Sequence, residues 1–276
     1  MINLFSRKKP DNIVFLVGCG RSGTTLLSSL VGSCSNTHIL SERRDLWHKV
    51  FPELNIWDNI NSVLDFKISE YNTKKNEKIR SVFFKEAESH KKNNILEKLP
   101  INCFRLNFIN KAFPEAKYIV IKRNPLEVAA SIEEKIGKGN WYGVNDNKLR
   151  LLIEYAKSNN VETKDFLKTD FNKGLLEWRL SNMAISKFFN DSKKDFFSIN
   201  EKILKSSIEP SEIKKLYFFP SKRWDLELKD STLIKLPINN SIKSLNKYFE
   251  IKDLPQFSNV KIFDMRISNQ IIINES

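Results

Sequence analysis

"VGCGRSGTTLL", Val17–Leu27, decides how this chain is read. The apolar run Ile13–Val17 ends in a glycine turn, and the turn passes into a helical pattern over Thr24–Gly32. A strand, a tight turn of exposed backbone N–H groups and a helix N-terminus together make a phosphate cradle. The phosphate-loop pattern G-x-x-x-x-G-K-[ST] is met at Gly18, Gly23 and Thr25, but Thr24 stands where the lysine belongs. That lysine normally reaches the outer phosphates of a triphosphate. Its replacement argues against ATP or GTP hydrolysis. Arg21, inside the turn, can grip an oxyanion with two parallel N–H bonds. Ser22, Thr24 and Thr25 add hydroxyl donors, and Gly20 and Gly23 let the backbone wrap closely.

Working outward, the first half alternates short apolar runs with amphipathic ones. Thr37–Leu40 reads as a short strand, Asp45 to about Lys92 as polar and helical, Ile95–Leu96 as a strand stub and Asn102–Phe113 as a helix. "KYIVI", Lys117–Ile121, is a second clear strand; it stops at Asn124–Pro125, where Asn is a good N-cap and Pro a good first helical residue. Strands alternating with helices predict a three-layer α/β/α domain with a mostly parallel sheet, of phosphate-loop type with helical additions. Asn147–Ser158, Leu175–Phe189 and Ser241–Phe249 read as further helices and Asp195–Ile199 as a strand, while 205–237 shows no clear pattern. The expected organisation is a single domain over 1–276, with a nucleotide-binding core at 10–135 and a mainly helical completion at 136–276 forming the acceptor side.

The chain has 276 residues, 41% hydrophobic and 11% aromatic, enough to bury a sizeable core. It contains no apolar run long enough for a membrane span. The apolar stretch at Ile13–Val17 runs straight into the glycine loop with no small-residue cleavage site, so it reads as a buried strand and not a signal peptide. Three scattered cysteines, Cys19, Cys34 and Cys103, suit neither a disulfide framework nor a zinc site and fit a reducing, cytoplasmic setting. The net charge of +13 permits an anionic ligand, but the lysines are spread in ones and twos along the chain, as on a solvated surface.

"GCGRSGTTLL" resembles the 5′-phosphosulfate loop of the sulfotransferases that use 3′-phosphoadenosine 5′-phosphosulfate (PAPS). Those enzymes transfer a sulfuryl group to an acceptor, need no metal, and use a donor without a triphosphate tail. They pair the loop with a strand ending in arginine and a serine on the next helix, which bind the donor's 3′-phosphate. "YIVIKRNPLEVAAS" is similar to that element, with Arg123 and Ser131 in those places. "ILSERRDLW" resembles the stretch of tyrosylprotein and related bacterial sulfotransferases in which a glutamate is the base and an arginine follows two residues on; Glu42 and Arg44 match. His38 is the second candidate for the base. "EKLPINCFR" is similar to a Glu-Lys-Thr-Pro segment, with Lys98, Asn102 and Arg105 in place and Leu99 where threonine is usual. In that resemblance Lys98 neutralises charge on the sulfuryl group and leaving phosphate. Trp178–Arg179 weakly resembles a later helix. Asn200–Glu201 replaces the family's Tyr-Glu pair, and Lys222–Trp224 is a possible stand-in for a late glycine-lysine-tryptophan segment.

The resemblance thus implies an enzyme with Glu42, Lys98 and Arg21 as catalytic residues. PAPS would be held by Gly20–Thr25, Arg123 and Ser131, and 3′,5′-diphosphoadenosine would be the product. The acceptor would be a small molecule, carbohydrate or peptide. Three readings compete. A deviant kinase or nucleotide hydrolase wants a replacement lysine and an acidic strand end to hold magnesium. A basic nucleic-acid-binding module wants aromatics within a clustered basic stripe, and the lysines here are diffuse. A degenerate sulfotransferase would bind donor without turnover.

Overall fold

The computed structural model describes residues 9–32, 36–66, 72–200, 213–218, 223–237, 241–267 and 270–275. The chain divides into two compact units, Met1–Phe196 and Phe197–Ser276. In the first, strands β1 (Asn12–Val17), β2 (Thr37–Ser41), β3 (Asn94–Lys98) and β4 (Lys117–Lys122) alternate with helices α1 (Thr24–Gly32), α2 (Arg44–His48), α3 (Thr73–Ser89), α4 (Leu106–Ala112) and α5 (Pro125–Gly137). Helices α6 (Asn147–Ser158) and α7 (Asp170–Ser192) follow. Within this unit the sheet order is β2-β3-β1-β4, all paired in parallel; β5 (Phe197–Asn200) begins the second unit.

The central strands are apolar almost throughout because both sheet faces are covered. Phe15, Leu16 and Val17 of β1 and Val120 and Ile121 of β4 are buried. Successive side chains of β1 leave on opposite faces. Ile13, Phe15 and Val17 join an aromatic core with Trp47, Phe83 and Phe113, while α1 packs along β1, β2 and β3. This is the expected α/β architecture with flanking helices. Asn124 caps α5 as its sequence predicts, its side chain accepting from the N–H of Leu126 at 2.9 Å with Pro125 in the first turn.

Strand order places the site. The chain leaves β1 for the far edge at β2, returns to β3 beside β1, then crosses to β4 on the other flank. Connections diverge on either side of β1, and in open parallel sheets ligands bind outside the carboxyl ends of the strands at such a point. The glycine loop follows β1, Glu42 follows β2, Lys98 ends β3, and Arg123 follows β4.

The structure departs from the sequence reading in two places. Asp45–Lys92 is not one helical stretch: short α2 is followed by a 3₁₀ turn at Pro52–Leu54, and α3 begins at Thr73. Within 136–276, α6 and α7 are helical. From 213 on, the described chain is a second five-stranded sheet ordered β10-β9-β8-β7-β6. Its elements are β6 (Ile213–Phe218), β7 (Trp224–Leu228), β8 (Leu233–Lys235), α8 (Ser241–Ile251), β9 (Val260–Asp264) and β10 (Ile272–Glu275). All neighbours are antiparallel except β8 and β9, which run parallel across α8. Leu226, Leu228, Ile234 and Phe263 pack with Leu245 and Tyr248 of α8. These strands span three to six residues and mix charges with apolar residues, so each is too short to show a period.

Candidate active site

The loop between β1 and α1 bends sharply. Arg21 and Gly23 both take positive φ, +67° and +88°, and the N–H of Ser22 bonds the carbonyl of Cys19 at 3.2 Å. Gly18 lies where a Cβ would come within 2.7 Å of the Ile121 side chain and 2.8 Å of its carbonyl, so only glycine lets the turn leave β1 against β4. Cys19 is buried against Val128 and Ile132, which seats the turn on α5.

A cavity of about 460 Å³ opens over this turn. Gly20, Arg21, Gly23, Thr24, Thr25, Glu42 and Arg123 all line it. Ser22 does not; its side chain is buried. Ser131 is not part of the lining either, but its Oγ accepts from Nε of Arg21 at 2.9 Å. The Arg123 guanidinium reaches the loop from the other side: Nη1 donates to the carbonyl of Arg21 at 2.9 Å, and Nε donates to Glu127 at 2.9 Å. Trp178 of α7 donates to the carbonyl of Arg123 at 3.1 Å and so fixes the end of β4. The two predicted phosphate elements therefore meet, locked together by reciprocal contacts between residues 21 and 123–131.

Glu42 stands on the opposite wall; Lys98 is not part of the lining but is buried against Glu42. Lys98 is 1% exposed, yet its Nζ lies 2.8 Å from Glu42 Oε1 and donates to Thr25 Oγ1 at 3.2 Å. The N–H of Glu42 bonds the carbonyl of Lys98 at 2.7 Å and extends the β2–β3 ladder by one residue. Glu42 has a left-handed φ of +53°, a conformation costing about 1–3 kcal/mol in a residue with a Cβ and typical of functional sites. Its second oxygen lies 3.5 Å from Arg44, whose guanidinium stacks 3.6 Å over the Trp57 ring. Burial holds the Arg44 pKa below its ordinary value, partly offset by Glu42.

The neighbouring residue on β3 faces the other way. Glu97 is buried in the core, accepting from Trp47 Nε1 at 3.1 Å and Asn102 Nδ2 at 3.0 Å. Burial pushes its pKa up to about 8, against the smaller lowering from those hydrogen bonds. Asn102 and Arg105, matched by resemblance, are interior too. Arg105 donates to the carbonyls of Leu64 and Leu54 at 3.0 and 2.9 Å and does not line the cavity. Leu99, where a threonine is usual, joins Pro100, Ile101 and Phe104 in an apolar wall.

His38, the second candidate for the base, is remote. It sits at the start of β2, stacks on His90 and is absent from the cavity wall. Burial, then His90, lowers its pKa. The Cys103 thiol is pushed up to about 12 and that of Cys19 also well up, both by burial, so neither is a ready nucleophile. Cys34, Glu201 and Lys222 lie outside the described residues. Arg223 ties back to Asp225 within the second sheet at 3.0 Å.

A linked group of three wall residues was among those not anticipated. Trp141, Lys148 and Glu177 line the cavity beside Gly20. Lys148 Nζ lies 2.6 Å from Glu177 Oε1 and 4.3 Å above the Trp141 ring, and Trp141 Nε1 donates to Glu177 Oε2 at 3.0 Å. A Cβ on Gly20 would meet the Trp141 ring at 3.2 Å, so the loop glycine makes room for the indole. No local motif marks these residues; only a buried Lys–Glu pair reveals them.

The sulfotransferase family profile matches residues 13–162, more than half of the chain. The chain belongs to the sulfotransferase family. The match covers every loop and strand end just described, from β1 to α6. Among solved structures, the chain is similar to the sulfotransferase domain from the curacin biosynthetic pathway, at 15% identity and TM-score 0.43, over 72% of this chain and 70% of that one. It is also similar to a sulfotransferase from Alicyclobacillus acidocaldarius, at 13% identity and TM-score 0.41, over 72% and 76%. No curated protein matches. Among the described residues, no helix is long and apolar enough to cross a membrane.

Proposed function

We propose that this sulfotransferase moves the sulfuryl group of PAPS to a hydroxyl of an acceptor held in the cavity. The observation that carries the reading is the contact of Arg123 with the glycine loop, 2.9 Å from Nη1 to the carbonyl of Arg21. It supports two oxyanion grips on adjacent strand ends, suited to a nucleotide phosphorylated at both its 5′ and 3′ positions. The backbone of Gly20–Thr25, with Arg21, Thr24 and Thr25, takes the 5′-phosphosulfate at the N-terminus of α1. Arg123 and Ser131 take the 3′-phosphate.

Transfer then needs positioning and charge stabilisation more than covalent help. Glu42 accepts the proton of the acceptor hydroxyl as its oxygen forms the new bond to sulfur. The bond from sulfur to the 5′-phosphate oxygen breaks, and 3′,5′-diphosphoadenosine leaves with that oxygen's charge. Lys98 spans the step: it touches both the base and Thr25 of the loop, so its ammonium faces the charge that moves from acceptor to leaving group. The apolar wall of Leu99 and Phe104 and the aromatic edge of Trp57 and Trp141 are the surfaces offered to the acceptor. Small-molecule, carbohydrate and peptide hydroxyls all meet the chemical requirement.

The test is a thermal-shift panel of 3′,5′-diphosphoadenosine, ATP with magnesium, and ATP without it. The diphosphate should stabilise the protein with no metal added and well above either ATP condition. Stabilisation by magnesium–ATP alone would transfer the case to a kinase or hydrolase. Diphosphate binding without transfer from labelled PAPS to any of a broad acceptor panel would make the protein a donor-binding member without turnover.

A further inference from the structure

Two of the chain's three histidines meet far from the cavity. The His38 and His90 rings stack with centroids 3.9 Å apart and planes 20° from parallel. Glu86, one turn before His90, places Oε2 3.6 Å from His38 Nε2. That is too long for a hydrogen bond, and the buried His38 Nε2 has no hydrogen-bond partner. His90 Nδ1 is taken up by the Glu86 carbonyl at 2.8 Å and Ser89 Oγ at 3.0 Å. A ring nitrogen held on a backbone carbonyl carries the hydrogen, which leaves the lone pair on Nε2 as a ligand. One ligand atom from each of the three residues lies within 4.8 Å of the others.

We propose that His38, Glu86 and His90 form a binding site for a divalent cation of the zinc class, clipping the end of α3 to the edge strand β2. Two imidazoles and a carboxylate are a donor set for such ions, with the fourth position left to water. Bonds of 2.0–2.1 Å at tetrahedral angles set ligand atoms about 3.3 Å apart. Reaching that spacing requires the stacked rings to splay, the exposed His90 ring turning about its Nδ1 hold on the Glu86 carbonyl. Arg43 donates to Glu86 Oε2 at 3.0 Å. It holds the same oxygen that faces His38, and its charge weakens the site relative to one without it. His38 precedes Glu42 by four residues of strand, roughly 13 Å at 3.3 Å per residue, so the cation plays no part in group transfer. Its effect is on stability: at one hundred times its dissociation constant, an ion that binds only the folded chain multiplies the folding constant about a hundredfold.

The test uses the full chain, free of any histidine tag and stripped of metal, titrated with zinc chloride by calorimetry and thermal melting. Wild type should bind one ion per chain with a raised melting midpoint. His90→Ala and Glu86→Gln should each weaken binding at least about tenfold. His90→Ala alters an exposed side chain, so its metal-free midpoint should match wild type. Cobalt(II) gives an independent reading: intense ligand-field bands in wild type that vanish in His90→Ala. Absence of saturable zinc binding, or equal binding by wild type and both variants, overturns the proposal.

Discussion

Removing the Arg123 guanidinium should weaken a ligand with a 3′-phosphate far more than one without it. Two features of Arg123 bear on a bound nucleotide. Its Nη1 supports the loop through the Arg21 carbonyl, and its head lines the cavity where we propose that the 3′-phosphate binds. Arg123→Ala removes both. The carbonyl contact is an ordinary hydrogen bond of about 1 kcal/mol, and its loss loosens the loop for every nucleotide by about fivefold. A charge-assisted bond to phosphate is worth about 1.5–3 kcal/mol, or roughly 10- to 150-fold in dissociation constant. The Glu127 side chain that Arg123 contacts is 44% exposed, so the fold should lose little. The assay is calorimetric titration of both proteins with 3′,5′-diphosphoadenosine and with adenosine 5′-monophosphate. The ratio of the two losses isolates the 3′-phosphate. A ratio above about ten is expected from that bond energy. Equal losses for both nucleotides would refute the second grip and reduce Arg123 to a prop for the loop.

Glu42→Gln keeps the shape and the contact with Lys98 but cannot accept a proton; diphosphate affinity should hold while turnover falls about 10²- to 10⁴-fold, and unchanged turnover in a single-turnover assay would remove Glu42 as the base. Glu97 should make stability depend on pH. Its folded pKa is raised from 4.5 to about 8, so the folded state holds the extra proton and the stabilisation is full below pH 4.5 and lost as pH rises through 8. At about 1.36 kcal/mol per pH unit the span is up to about 5 kcal/mol. Glu97→Gln should flatten that fall in denaturant titrations at pH 5 to 9, and parallel curves for variant and wild type would contradict the assignment. Lys148→Met strands the buried Glu177 carboxylate and should cost about 3–5 kcal/mol in urea unfolding. Lys148→Met combined with Glu177→Leu should recover most of it. A single-variant cost under about 1 kcal/mol would mean the pair is effectively solvated.

Some of this molecule is written in contiguous residues. The run Ile13–Leu27 specifies strand, turn and helix by local chemistry alone: an apolar segment, glycines at tight positions, hydroxyls at a helix start. Asn124–Pro125 likewise marks the start of α5 within two residues. The resemblance of "GCGRSGTTLL" and "YIVIKRNPLEVAAS" to phosphosulfate and 3′-phosphate elements led to the family, because each motif is a short segment acting on one phosphate. What joins the segments could not be read along the chain. Glu42 and Arg123 are brought to one cavity, and Lys98 to Glu42, by sheet order, which places β3 and β4 on either side of β1. Adjacent Glu97 and Lys98 look alike as a charged pair, yet the pleat sends one into an aromatic core and the other to Glu42. Lys148 and Glu177 lie 29 residues apart on different helices and declare themselves only as a buried pair at 2.6 Å. Turns and caps arise from neighbours in sequence, where a few dihedral angles decide. Burial and ion pairing depend on which distant surfaces exclude water together, and that exists only once the chain is packed.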